Sequence, residues 1–148
     1  MTQREHNVKV KEWLSSYRHA KKEWLRRQDE LEELISIQES TGAIEYSDMP
    51  KAMNTEHDLS DLMVRRDAYM TRVIKARAEM DKAFDQISAA IAKLDKLEHR
   101  EVLTLRYLRL NGSKRMSWDE IADRMGYTVV YVWEVHGKAL TAIESEIT

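Results

Sequence analysis

The chain has 148 residues, of which 24 are Lys or Arg and 26 are Asp or Glu, so its formal net charge is −2. This near balance excludes a polycation that coats nucleic acid with its whole surface. The chain contains no cysteine, which excludes disulfides and thiolate metal sites and is compatible with the cytoplasmic location that we expect. No apolar run reaches the length of a membrane span. Four glycines and one proline among so many charged residues predict an all-α protein.

Two long apolar stripes in residues 1–97 predict a long helical hairpin or coiled coil. The apolar residues of the first stripe recur every seven positions: Val10, Tyr17, Trp24 and Leu31. We expect the helix that carries this stripe to end near Gly42, and a short turn of helix to follow Pro50. The second stripe runs from Leu59 to Leu97 with gaps of three and four residues. A helix this long rarely stands alone, so we expect the two helices to pack antiparallel.

The remaining residues, 98–148, predict a trihelical domain of a different kind. An amphipathic helix is expected over 101–110, ended by an Asn-Gly pair. Ser117 is expected to cap a second helix, as the first residue of a capping box. The chain should then turn at Gly126 and begin its last helix near Thr128.

Residues 118–135, WDEIADRMGYTVVYVWEV, fit the pattern of a helix-turn-helix. Ala122 is small where the second helix must cross closely over the first. Gly126 supplies the left-handed backbone conformation that the tight turn requires. The apolar residues that should bury the seam between the two helices are Ile121, Met125, Val132 and Val135.

The segments REVLTLRY at 100–107, SWDEIADRMGYT at 117–128 and VHGKAL at 135–140 together resemble region 4 of the sigma-70 family of transcription initiation factors. The chain as a whole is similar to the small sigma-region-4-like regulators of phages and prophages of Gram-positive bacteria. YSDMP at 46–50 belongs to the same likeness. The resemblance implies a DNA-binding helix-turn-helix preceded by a long helical part.

By this resemblance the last helix is the recognition helix. Its base-reading positions are Val129, Val130, Trp133 and Glu134, whereas sigma factors commonly place Arg, Glu and Gln there. A helical wheel independently places Val130, Trp133, Glu134 and Gly137 on the outward face of this helix. Lys114 and Arg115 lie in the loop before the helix-turn-helix, where we expect phosphate contacts. The candidate DNA-binding residues are Thr128, Val129, Val130, Tyr131, Trp133, Glu134, Lys138, Lys114 and Arg115.

Other clusters of polar residues favour plainer interpretations. We interpret the basic stretch 18–27 as a solvated helix face, and we expect His136 at the edge of the recognition helix. No two of the five histidines are four residues apart, and no glycine-rich phosphate loop or nucleophile motif occurs. We therefore expect no enzyme activity, no metal and no cofactor.

The sequence thus predicts a phage-type, sequence-specific transcriptional regulator that binds double-stranded DNA and has RNA polymerase as a further candidate partner. The alternative is a helical interaction module whose trihelical end binds a protein such as RNA polymerase. The outward Val130 and Trp133 favour the alternative, whereas Lys114, Arg115 and Lys138 favour DNA.

Self-association is expected through residues 8–97. Met63, Met70 and Phe84 make the second stripe wider than the seam of a single hairpin can cover. A homodimer would bury the remaining apolar surface.

Overall fold

The computed structural model of the protein describes residues 2–48 and 55–147, and this part of the chain is all-helical, as predicted. The predicted helical turn after Pro50 lies outside the described residues. Among the described residues, no helix combines the length and the apolar character that crossing a bilayer requires. The helices are α1 (Gln3–Leu14), α2 (Ser16–Asp48), α3 (Thr55–Ala92), α4 (Leu97–Leu103), α5 (Trp118–Met125) and α6 (Val129–Ile147).

Two helices stand where the sequence predicts one long N-terminal helix. The backbone N–H of Glu5 donates to the Thr2 hydroxyl, and the Glu5 carboxylate accepts from the backbone N–H of Thr2, so a capping box begins α1. The chain turns at Ser15, and α2 then runs through Gly42 to Asp48. The predicted stop at Gly42 is therefore wrong. A glycine inside a helix costs only about 1 kcal/mol relative to alanine, and it ends a helix only where the backbone leaves the helical region.

The described contacts divide the chain into two compact units. The terminal unit comprises Met1–Lys22 and Glu79–Thr148, and the middle unit comprises Glu23–Ala78. Both ends of the described chain contribute to the terminal unit, because α1 packs against α6 across almost the whole length of the sequence. The boundary expected between residues 97 and 98 stays a prediction.

Helix α6 lies at the centre of the terminal unit, where α1, α4 and α5 all pack against it. The amide of Gln3 on α1 donates to the hydroxyl of Thr141 on α6 at 3.2 Å. A turn of π-helix over Thr104–Leu108 continues α4. The largest fully buried side chains of this core are Leu14, Ile87, Val102, Leu103, Ile121, Val132, Leu140 and Ile143. This core fixes which side of α6 remains accessible.

In the middle unit, contacts between α2 and α3 join residues in reverse order along the chain. The guanidinium of Arg77 lies 5.0 Å from the ring centroid of Trp24. The amide of Gln38 donates to the backbone carbonyl of Leu62 at 3.1 Å. The two helices therefore run antiparallel within this unit.

Candidate nucleic-acid interface

Helix α5, the turn at residues 126–128 and helix α6 form a helical corner whose boundaries agree with the prediction. The Ser117 hydroxyl accepts from the backbone N–H of Glu120, which caps α5. Gly126 has φ 77°, and its N–H donates to the carbonyl of Ala122. The Thr128 hydroxyl accepts from the backbone N–H of Tyr131 at 3.2 Å and so satisfies one free donor at the start of α6. Local chemistry thus fixes both ends of the turn.

The inner face of this corner is the predicted apolar seam. Ile121 and Ala122 on α5 are buried, as are Val132 and Val135 on α6. Met125 is only half-buried. Because the seam fixes the rotation of α6 about its axis, the opposite face of the helix points away from the core.

That outward face of α6 carries most of the predicted contact residues. The exposed fraction is 62% for Val130 and 51% for Trp133, and Glu134 and Lys138 are also exposed, whereas Val129 is half-buried. A shallow depression of about 430 Å³ lies on this face. Its lining residues are Trp133, Glu134, Gly137, Lys138 and Thr141. The face therefore offers apolar contact area together with an anionic acceptor and a cationic donor.

Tyr131 differs from its neighbours because its hydroxyl is already engaged inside the protein. It donates to the carboxylate of Glu98, 3.1 Å away at Oε2, and Tyr127 donates to Oε1 of the same carboxylate at 3.0 Å. The hydrogen bonds to Glu98 raise the pKa of both tyrosines above the ordinary value. Glu98 connects α4 to the start of α6, and the sequence offers no spacing that would identify it.

Lys114 and Arg115 are exposed in a tight loop before α5, as predicted. Asn111 and Lys114 exchange two backbone hydrogen bonds across this loop, and Gly112 has φ 63°. The loop borders a depression of about 490 Å³. The cationic side chains that line the depression are Arg109, Lys114, Arg115 and Arg124, and Glu120 is the carboxylate among its lining residues. Positive charge therefore predominates at this surface.

Arg18 supports the same loop from the beginning of α2. Its Nε donates to the backbone carbonyl of Ser113 at 2.8 Å. The interpretation of the basic stretch 18–27 as a solvated face is therefore wrong for Arg18, which is partly buried. Sequence separation hides this contact, because donor and acceptor are 95 positions apart.

Farther along the stretch, in the middle unit, the arginines form ion pairs. Arg26 pairs with Glu23 at 2.9 Å, and Arg27 pairs with Glu23 and Glu30 at 2.9 Å and 3.1 Å. These bonds join residues three or four positions apart on one helix face. This part of the stretch is a helix surface with paired charges.

His136 is buried rather than placed at the edge of α6 as the sequence suggests. Its Nε2 lies 2.8 Å from the hydroxyl oxygen of Tyr107, and its ring makes a T-shaped contact with the ring of Trp118 at a centroid distance of 4.8 Å. Burial lowers the pKa of His136 to about 4, and the charges of Lys11 and Arg106 act in the same direction. Burial also raises the pKa of Tyr107 to about 12.

Arg106 connects the buried cluster of Tyr107, Trp118 and His136 to the segment before α5. Its guanidinium lies 4.3 Å from the ring centroid of Trp118 and donates to the carbonyl of Met116 at 2.6 Å. Burial is the main cause that lowers the pKa of Arg106. Arg106 thereby anchors the segment between the loop and α5.

Metal chemistry and known relatives give no further guide to the site. Within the described residues, no group of three or more His, Asp or Glu side chains is arranged to hold a metal ion. No protein-family model, curated protein sequence or solved structure matches the chain.

Proposed function

We propose that the chain is a non-enzymatic, sequence-specific transcriptional regulator of the phage type that binds double-stranded DNA in the cytoplasm. Helices α5 and α6 act as a helix-turn-helix, with α6 as the recognition helix in the major groove. One observation carries the proposal. The helix that exposes Val130, Trp133 and Glu134 is joined through α5 to a depression lined by four cationic side chains.

In this proposal the outward face of α6 contacts the bases, and the cationic residues contact the DNA backbone. Val130 and Trp133 contact thymine methyl groups and sugars, and Glu134 accepts from a cytosine amino group. Lys138, Lys114 and Arg115 contact phosphates, which position the protein without reading the sequence. Tyr131 supports the recognition helix through Glu98, so its part in DNA contact is smaller than that of its neighbours.

The long helices serve self-association in this proposal. The antiparallel contacts of α2 with α3 support a helical hairpin that precedes the helix-turn-helix. A two-fold dimer presents two recognition helices to two half-sites and doubles the positive charge at the DNA. The regulator therefore acts as a homodimer.

A second candidate function rests on the apolar character of the α6 face. Exposed Trp and Val side chains are typical of contacts between proteins, and a tryptophan is a frequent hot spot. In this alternative the same face binds a protein, with RNA polymerase as the candidate partner. In this alternative the cationic depression contributes less to binding than the α6 face does.

Single substitutions on α6 distinguish the two functions. Val130→Ala, Trp133→Ala and Glu134→Ala leave the buried seam intact, so each variant should fold. On a site selected from random DNA, each should weaken specific binding by about 1–3 kcal/mol and leave non-specific binding nearly unchanged. Gel-shift titration measures both. Val8→Ala is the matched control, because Val8 is an exposed apolar residue on α1.

The alternative predicts a different pattern with the same variants. Trp133→Ala should then weaken RNA polymerase binding by about 2 kcal/mol or more. None of the substitutions should change DNA affinity. Failure to select any DNA sequence, together with polymerase binding that depends on Trp133, would reject the proposal in favour of the alternative.

A further inference from the structure

Helix α3 exposes a line of large apolar side chains within the middle unit. Exposure ranges from 44% to 66% for the four members of this α3 stripe, which are Leu59, Met63, Met70 and Ile74. They follow one another at intervals of four, seven and four residues, which keeps them on one side of the helix. Leu62, Val73 and Ala76 are more deeply buried and lie on another side.

The α3 stripe is large for a surface that stays in water. At the observed exposure the four side chains present roughly 500 Å² of apolar area, which is near the upper end for a monomeric protein. Two copies joined through it would bury roughly 1,000 Å², the area from which specific interfaces begin. The area thus matches an interface between two copies of this helix.

The spacing of the α3 stripe, with intervals of four, seven and four residues, is the same when it is taken from either end. Two antiparallel α3 helices centred between Arg66 and Asp67 would therefore set Leu59 against Ile74 of the other copy, and Met63 against Met70. A parallel pairing in register would instead set each residue of the α3 stripe against the same residue of the other copy.

We propose that the α3 stripe is the homodimer interface of this protein, formed by two α3 helices that cross antiparallel at Arg66 and Asp67. The inference rests on the part of the proposed function that makes the regulator a dimer. It does not depend on DNA binding, so the two can fail separately. The occupant of the stripe is a second copy of the chain.

Sedimentation equilibrium of the full chain tests the interface. The unchanged protein should be a dimer at micromolar concentration. The double variant Met63→Glu with Met70→Glu should raise the dimer dissociation constant by at least about 100-fold, because it places charges in the central apolar layers. Val64→Glu is the matched control, since Val64 is 65% exposed on α3 but lies outside the stripe. Circular dichroism checks that every variant stays helical.

Engineered thiols test the orientation, because the chain has no cysteine of its own. In the antiparallel arrangement, Asp67→Cys brings two thiols together at the crossing point, and mild oxidation should link the copies. Met63→Cys should not link, because residues 63 of the two copies would be about 10 Å apart along the axis. A parallel dimer would link through Met63→Cys.

Three results would overturn the inference. They are a monomeric unchanged protein, a dimer that survives the double substitution, and linkage through Met63→Cys without linkage through Asp67→Cys. A monomeric chain whose stripe binds RNA polymerase is a case of the first result. If the dimer forms as described but selects no DNA, the interface stands and the proposed function fails. If a monomer binds DNA specifically, only the interface is wrong.

Discussion

The hydroxyl oxygen of Tyr107 lies 2.8 Å from Nε2 of His136 inside the core of the terminal unit. Burial raises the pKa of Tyr107 to about 12 and lowers that of His136 to about 4. At neutral pH the phenol therefore keeps its proton and the imidazole is neutral, and the tautomer of His136 decides which of the two donates the hydrogen bond. The pair is an uncharged hydrogen bond that joins the π-helical turn to α6.

We expect the stability of the terminal unit to fall as the pH drops from 7 toward 4. In the unfolded chain the pKa of His136 is near 6.5, so the unfolded chain takes up the proton first and is favoured by acid. Stability is complete above pH 6.5 and is lost progressively down to the folded pKa of about 4. Linkage gives a loss of about 2 kcal/mol between pH 7 and pH 5. Urea unfolding followed by circular dichroism at the two pH values measures it.

The control for this prediction is His136→Gln, which cannot titrate. His99 also has a lowered pKa, chiefly because of burial, and adds a loss of the same sign in both proteins. The difference between the unchanged protein and the variant therefore isolates His136. Equal losses in the two proteins would contradict the buried, neutral state of His136.

Glu98 should control the ionisation of two tyrosines near α6. In Glu98→Ala the pKa values of Tyr127 and Tyr131 should fall back toward 10, because the hydrogen bonds that raise them are lost. Ultraviolet titration of tyrosinate measures the shift. Glu101→Ala is the matched control, since Glu101 is the weakest of the causes that act on Tyr127. Identical titrations for the two variants would argue against the Glu98 contacts.

Two glycines of the terminal unit should respond in opposite directions to the same substitution. Gly126 has φ 77°, so Gly126→Ala should destabilise the fold by about 1 kcal/mol. Gly137 lies inside α6 with open space around an added Cβ, so Gly137→Ala should stabilise by about 0.5–1 kcal/mol. Urea unfolding of both variants tests the pair. A stabilising Gly126→Ala would be inconsistent with the left-handed turn.

The loop pair should govern the salt dependence of DNA binding. Lys114→Ala with Arg115→Ala should weaken binding to all DNA sequences alike, and should reduce the slope of log affinity against log salt by about one per lost contact. Titrations at several salt concentrations give the slope. Arg4→Ala with Lys9→Ala removes two exposed cations of α1 as the control. An unchanged slope in the loop variant would mean that the loop faces away from the duplex.

Periodicity and capping chemistry predict the local structure of this chain well. The turn at Gly126 and the cap at Thr128 follow from residue types that suit only a few backbone conformations. The helix end predicted near Gly42 is wrong because glycine permits a helix to end without requiring it. The break at Ser15 escapes prediction because the apolar stripe continues through it.

Long-range partners are what the sequence does not reveal. A stripe identifies the buried face of a helix but does not say which other helix covers it, so the packing of α1 on α6 is not predictable from spacing. Arg18, Glu98 and His136 are missed for the same reason. Each finds its partner through the tertiary fold, at separations of 29 to 95 residues.

The packing of α1 against α6 sets an order of events during synthesis. Helix α1 leaves the ribosome before α6, because α1 ends at Leu14 and α6 begins at Val129. Until the last helix emerges, the side of α1 that carries Val10 and Leu14 lacks its cover in the terminal unit. Such long-range closure slows folding and lengthens the exposure of apolar surface. The terminal unit therefore completes its fold only after α6 has left the ribosome.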